Sequence, residues 1–401
     1  MIFQRLFSAM LCGAVIIVPF QKLLAAPDSG KPPVTTPTAG VFPNKKVAAI
    51  WKHYSFNKTI WWGAFPHNMQ IPANEFKTYA WAVGPFTKYA GNPVLSPTPG
   101  AWDQGHFSGG VHNGAIIVRG GKFYYIYRGE RPHVFKKGPM NYICNIGVAI
   151  SKDGMHFKKD TAVSPIFKKG YRRYSYEDPD VCEYKGTYYL FCNRFNYRTN
   201  QENYKINGTF LATSKDLLHW KQIGILFPHV ARVHRNAVVL QGPHNHAIRV
   251  NGKFVMYLDY GLVAYSTDLV HWVTRKQPAI YPGGEVCFAL GNYSRRHKNR
   301  IVLFTGGDFT GYCYAIGEVL FSKRNPAKPL AYLPAPVLTA SPNIPYENGF
   351  SATNPHKLIS YFNDITFFTG LTRHNGKWWM YYGGSEYYTC LATALANAGG
   401  H

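Results

Sequence analysis

The chain has 401 residues, enough for one large all-β domain or two average ones, and length alone chooses neither. Charged residues make up only 16 %, against roughly 25 % in an average soluble domain. The excess of Tyr, Phe, Trp, Gly and Pro excludes a chain built mainly on long helices and favours short strands joined by turns. Forty-four Lys and Arg against 20 Asp and Glu leave a net charge of +24, dispersed along the sequence. Such charge serves either attraction to an anionic partner, such as an acidic polysaccharide or membrane surface, or plain solvation. Nucleic acid is not expected as a partner, because the chain has no recognisable binding motif and begins as an exported protein does.

Arg5 followed by the apolar run Leu6–Phe20 reads as an export signal over residues 1–26, too short for an ordinary transmembrane helix. Periplasmic or secreted localisation follows, with no stable membrane span once the signal is removed. A Pro-rich linker is expected over 27–50, and an N-terminal extension that packs on the main domain over 51–102. Six cysteines remain in the mature chain, which permits disulfides without requiring them. Cys182 and Cys192 lie on the arms of one predicted hairpin and point to opposite faces, so they are not expected to pair.

From residue 103 to 396 one pattern recurs: a turn residue with Gly-Lys or Lys-Gly, then an alternating aromatic and β-branched run. Its copies are Gly120–Tyr127, Lys185–Phe191, Asn251–Leu258, a degenerate Lys298–Phe304, and Asn375–Tyr382. Three copies are followed by a strand ending in Ser-x-Asp-x-x-His-aromatic, at Ser151, Ser214 and Ser266; Asp153, Asp216 and Asp268 there read as turn residues. A hairpin plus two outer strands makes a four-stranded blade. Five blades in radial repetition predict an all-β fold, a five-bladed β-propeller, with Val83–Tyr89 completing the last blade.

Residues just before each hairpin should line one mouth of the central channel, and they are polar where the strands are apolar. Glycosidic cleavage needs a carboxylic acid for the leaving oxygen and a base or nucleophile opposite. Asp178, Glu285 and Asp364 are the best-placed catalytic candidates, with Glu177, Asp180, Asp259 and Glu386 behind them. His244-x-His246 lacks a third ligand at a diagnostic spacing, so no metal is expected, and nothing calls for a cofactor. Trp61, Trp62 and Trp81 are candidates to cover the pocket.

From Gly91 to Ala394 the chain resembles glycoside hydrolase family 130, the mannoside phosphorylases and β-mannosidases. The likeness rests on Asn92-Pro93-Val94-Leu95, Asn113-Gly114-Ala115 leading to Tyr127-Arg128, Tyr176-Glu177-Asp178-Pro179, Arg235-Asn236, Tyr346-Glu347-Asn348-Gly349 and Asp364–Gly370. The resemblance implies that Asp178 is the proton donor, acting through a sugar hydroxyl. Asn113, Arg128, Glu177, Asp180, Arg235, Asn236, His244, His246, Asp259 and Glu386 are taken as substrate-binding. Asp180 stands where the family has Arg, Arg235 where it has Lys, and Asp364 where it has Asn. Fewer phosphate ligands and more carboxylates favour water as the attacking species. The expectation is therefore an inverting, exo-acting glycoside hydrolase acting on a β-mannoside-like or acidic glycan, with Glu285 or Asp364 as base. The alternatives are a phosphorylase or transglycosylase on the same fold, or a non-catalytic glycan-binding propeller.

Overall fold

A computed structural model describes residues 70–106, 109–133, 142–168, 173–196, 203–229, 235–275, 285–294, 296–308, 314–333, 335–341, 343–354, 356–357, 359–360 and 365–396. The expected signal and linker, Trp61, Trp62 and Asp364 lie outside these residues. Among the described residues no helix is long and apolar enough to cross a membrane.

The fold is a five-bladed β-propeller. A short strand β1 (Thr87–Lys88) precedes blade 1, which is β2 (Val111–Arg119), β3 (Lys122–Pro132), β4 (Tyr142–Ser151) and β5 (Lys158–Lys159). Blade 2 is β6 (Ser175–Tyr184), β7 (Thr187–Phe195), β8 (Gly208–Ser214) and β9 (Trp220–Ile225). Blade 3 runs from β10 (Val238–Gln241), with β11 (Arg249–Val250) beside β12 (Lys253–Leu258), to β13 (Leu262–Ser266) and β14 (Trp272–Thr274). Blade 4 is β15 (Glu285–Gly291), β16 (Arg300–Asp308), β17 (Tyr314–Ser322) and β18 (Pro329–Tyr332), its first strand paired in parallel with β10. Blade 5 is β19 (Thr366–His374), β20 (Lys377–Gly384) and β21 (Tyr388–Leu395), with β1 as its fourth strand.

The hairpins form because their turns accept positive φ at both central residues, which matches the twist of the flanking strands. Lys185 and Gly186 have φ of 49° and 70°, and Asn375 and Gly376 have 46° and 71°. In blade 2 the register is the one the turn dictates, Tyr184 opposite Thr187 and Cys182 opposite Tyr189. Cys182 and Cys192 are both free thiols. In the outer turns the Ser214 hydroxyl accepts from Leu217 N, and Asp216 Oδ1 accepts from Leu218 N and His219 N; the turns at Ser151 and Ser266 repeat this.

A blade cannot bury both faces alone, so each packs on its neighbours. One apolar cluster fills each of the five interfaces, from Phe167, Tyr176 and Phe210 between blades 1 and 2 to Tyr125, Tyr127 and Tyr381 between blades 5 and 1. Fully burying each such side chain contributes about 1.5–3 kcal/mol. The ring closes through β1, with Thr87 opposite Thr393 and Lys88 opposite Ala392. Asn92 clamps the same strand: its Oδ1 accepts from Leu391 N at 2.7 Å and its Nδ2 donates to Leu391 O at 2.9 Å. Glu347 adds a second fastening, accepting from Lys88 Nζ, Ser341 N and Tyr382 Oη at 2.5–2.6 Å. Two of the motifs that carry the family resemblance therefore close the ring.

The innermost strands all start at one end of the channel, the mouth, and run toward the hairpin end. There the segment Gly242–Ala247 crosses from blade 3 to blades 2 and 5. Asn245 O accepts from Glu183 N of blade 2, Asn245 Nδ2 donates to Leu371 O of blade 5, and Pro243 O accepts from Arg373 N, each at 2.8 Å. This segment lies as a floor across the hairpin end of the channel.

Candidate active site

Asn113, Asp178 and Asn236 occupy matching places at the mouth ends of blades 1, 2 and 3. All three have left-handed backbones, with φ of 47°, 50° and 46°. Asn and Asp tolerate this conformation better than most residues. Both β2 and β6 carry a bulge there, between His112 and Ala115 and between Glu177 and Asp180. Bulges of this kind re-aim side chains beside active sites.

Asp178 is the centre of the arrangement and is only 7 % exposed. Its Oδ1 accepts from Asn113 Nδ2 and Arg128 Nη1, both at 3.0 Å, and its Oδ2 from Asn193 Nδ2 at 3.2 Å. Asn193 Nδ2 also donates to Asn236 Oδ1 at 2.6 Å, and Asn236 Nδ2 donates to Asp259 Oδ2 at 2.9 Å. Asp259 Oδ1 in turn accepts from Val286 N, next to Glu285. A hydrogen-bonded arc thus runs round the mouth from blade 1 to blade 4, holding Asn113, Arg128, Asp178, Asn236 and Asp259 in one network.

Blade 1 supplies a second layer. Arg128 Nη2 pairs with Glu130 Oε1 at 2.6 Å, and Nη1 lies 3.8 Å from Glu177 Oε2. Glu130 also receives His106 Nε2 at 2.5 Å and His112 Nε2 at 3.1 Å. Sequence reasoning placed His112 at the mouth but overlooked Glu130 and His106. Alternation along β3 was the available signal, because Arg128 and Glu130 are two apart and share a face.

The electrostatics divide the carboxyls. Burial pushes Asp178 upward, but Arg128, the Asn113 hydrogen bond, Arg235 and His112 outweigh it and hold the group below the usual aspartate value. Glu130 is likewise held well down against burial by Arg128, His106 and His112. Asp259 goes the other way, raised well above its ordinary value by burial and by the Glu285 carboxylate. Glu386, on the turn between β20 and β21, is pushed up to about 7, first by burial, with Glu130 and Asp178 adding to it. Its backbone O accepts from Gly110 N of blade 1, and Ser385 and Glu386 both have positive φ, 51° and 53°. Carboxyls driven apart within one network can hold and pass a proton. Arg235 stacks over Phe195 at 5.2 Å, and the carboxylates of Glu177, Asp259, Glu285 and Asp178 favour its charge against burial.

Four expected residues fall elsewhere. Asp180 does not reach the mouth: past the bulge it turns between blades, where Val239 N donates to it at 2.9 Å and Gln241 Nε2 at 2.7 Å. It joins blade 2 to blade 3 and is 1 % exposed. His244 and His246 lie on the floor segment at the hairpin end, His246 bonded to Glu183, because β10 ends at Gln241 and the two histidines follow it. Trp81 does not cover the mouth either; its carbonyl accepts from Tyr293 Oη, beyond the far end of β15. Among the described residues no group of three or more His, Cys, Asp or Glu could hold a metal ion.

No family profile matches the chain. It is similar to the 1,2-β-oligomannan phosphorylase of Thermoanaerobacter sp. (strain X514), 29 % identical over 320 residues, covering 76 % of this chain and 94 % of the relative. The β-1,2-mannobiose phosphorylase of the same organism is 24 % identical over 322 residues, covering 75 % and 94 %. A solved structure from the GH130 family of mannoside phosphorylases, described with it as containing glycoside hydrolases that target β-1,2 mannosidic linkages in Candida mannan, superposes with a TM-score of 0.62. It is 22 % identical and covers 82 % of this chain and 96 % of that one. In sequence and in fold the chain resembles glycoside hydrolase family 130, and it is a carbohydrate-processing enzyme that acts on glycosidic bonds.

Proposed function

We propose that this enzyme removes a mannosyl unit from the end of a β-1,2-linked mannoside and transfers it to phosphate. The observation that carries the reading is Asp178, buried at the mouth and bonded at once to Arg128, Asn113 and Asn193. Both curated relatives are phosphorylases matched over 94 % of their length, which favours phosphate over water as the acceptor. The floor at the hairpin end suits exo action, since a blind channel takes a chain end more readily than a chain interior. Asp178 acts through a hydroxyl of the bound sugar, and Glu386 and Asp259 hold protons beside it. The sugar hydroxyl gives its proton to the leaving oxygen as the glycosidic bond breaks and is reprotonated through Asp178 from the proton held by Glu386; a phosphate oxygen forms the new bond to the anomeric carbon, and the proton that phosphate releases restores Glu386. The chain acts after export, in the periplasm or outside the cell.

Hydrolysis is the second reading, and the surroundings of Arg235 favour it. Three carboxylates, Glu177, Glu285 and Asp178, act on that guanidinium beside the Asp259 carboxyl. They oppose a phosphate anion there and suit a base that activates water, which Glu285 or Asp364 would supply. Chromatography of β-1,2-mannobiose digests with and without phosphate separates the two. Sugar release that requires phosphate supports phosphorolysis; equal release without it establishes hydrolysis.

A further inference from the structure

The hairpin end carries features that the reaction at the mouth does not use. Each hairpin tip bears an exposed lysine, Lys122, Lys185, Lys253, Lys298 and Lys377, one for every blade. The acids at this end are already engaged. Asp153, Asp216 and Asp268 bind their own turns and the neighbouring His156, His219 and His271 at 2.7 Å, and Glu183 binds Gly186 N and His246. The result is a cationic face around the end of the channel.

On that face is a pocket of about 400 Å³, lined by Arg373, His244, His246, His374 and Glu183 among others, the Glu183 carboxylate being the one bonded to Gly186 N and His246. The Arg373 guanidinium has no hydrogen-bond or ion-pair partner among the described residues, although its backbone N is fixed to the floor segment through Pro243 O.

We propose that this pocket is a second glycan-binding site, which takes an acidic sugar unit of a polyanionic polysaccharide. Arg373 receives the acid group, and the lysines attract the rest of the chain. The pocket has room for a sugar unit, whereas a lipid surface would call for a flat face with apolar side chains to insert. The three exposed large apolar side chains among the described residues, Ile223, Val273 and Leu395, sit on three different blades and form no such patch. The site does not rest on the reaction assigned to the mouth, from which the floor segment separates it.

Binding of fluorescently labelled polygalacturonate to the full chain tests this, with neutral dextran and phosphatidylglycerol vesicles as comparisons. Polygalacturonate should bind and dextran should not. Arg373→Ala should weaken binding about tenfold, while Lys221→Ala, which removes one charge from an exposed outer strand, and Asp178→Asn should leave it nearly unchanged. Turnover at the mouth should be unaltered in Arg373→Ala. Equal losses in Arg373→Ala and Lys221→Ala would reduce the pocket to diffuse charge and overturn the proposal. So would binding confined to vesicles, no binding at all, or loss of binding in Asp178→Asn.

Discussion

Arg128 Nη1 lies 3.0 Å from Asp178 Oδ1, so a guanidinium of blade 1 is ion-paired across a blade boundary with the central carboxylate of blade 2. The pair is buried, and Asn113 and Asn193 satisfy further lone pairs of the carboxylate. Removing one member of such a pair leaves the other charged and uncompensated. Its two partners are therefore expected to respond differently to substitution.

Asp178→Asn keeps the shape and removes the carboxylate. Turnover of β-1,2-mannobiose should fall about 10²–10⁴-fold with the melting temperature nearly unchanged. Arg128→Ala should lose activity and also stability, by about 3–5 kcal/mol, because Glu130 and Asp178 then share a buried site without their cation. Initial-rate assays and thermal melts of both variants check this.

The pH dependence of kcat/KM should carry the mark of Glu386. Its pKa is raised to about 7, and the protonated form is the useful one. Activity should decline as pH rises through about 7, as that proton is lost. In Glu386→Gln the step should vanish from the profile; a step that persists there would assign it to another group.

Asp180 makes a statement about stability. Burial raises it to about 7 despite hydrogen bonds from Val239 N and Gln241 Nε2, while the unfolded group titrates near 3.8. Between those values the folded state binds more protons than the unfolded one. Stability should therefore be highest near pH 4 and fall toward pH 7, by at most about 1.4 kcal/mol per pH unit from this group. Glu386 contributes with the same sign. Denaturant midpoints across this range should fall less steeply in Asp180→Asn than in the parent.

The outer turns are structural. Asp216 accepts from two backbone N–H groups and pairs with His219 at 2.7 Å. Asp216→Ala should lower stability by about 1 kcal/mol, and the melting temperature by about 1–2 °C, without changing turnover. A loss of activity at unchanged stability would contradict the assignment.

Hairpin turns were legible because Asn-Gly and Lys-Gly pairs declare positive φ, and blade number follows from counting them. Blade 4 is the least regular in sequence because a longer connection, from Asn292 to Asn299, replaces the two-residue turn. Asp178 stood out as one of three carboxylates within Glu177–Asp180, yet the bulge that aims it at the mouth sends Asp180 between blades. Alternation cannot anticipate a bulge. His244 and His246 were assigned to the wrong end because a polar run beside a strand does not say which end of the strand it borders. Glu130 stayed hidden because its importance comes from His106, His112 and Arg128 converging on it, and His106 comes from outside the strands.

The central claim is phosphorolysis at a site centred on Asp178, and ³¹P NMR of the enzyme with β-1,2-mannobiose and inorganic phosphate tests it most directly. The account predicts that a mannose 1-phosphate signal grows at the expense of phosphate and is absent with Asp178→Asn. Free mannose accumulating with the phosphate signal unchanged, or the same product formed by Asp178→Asn, would contradict it.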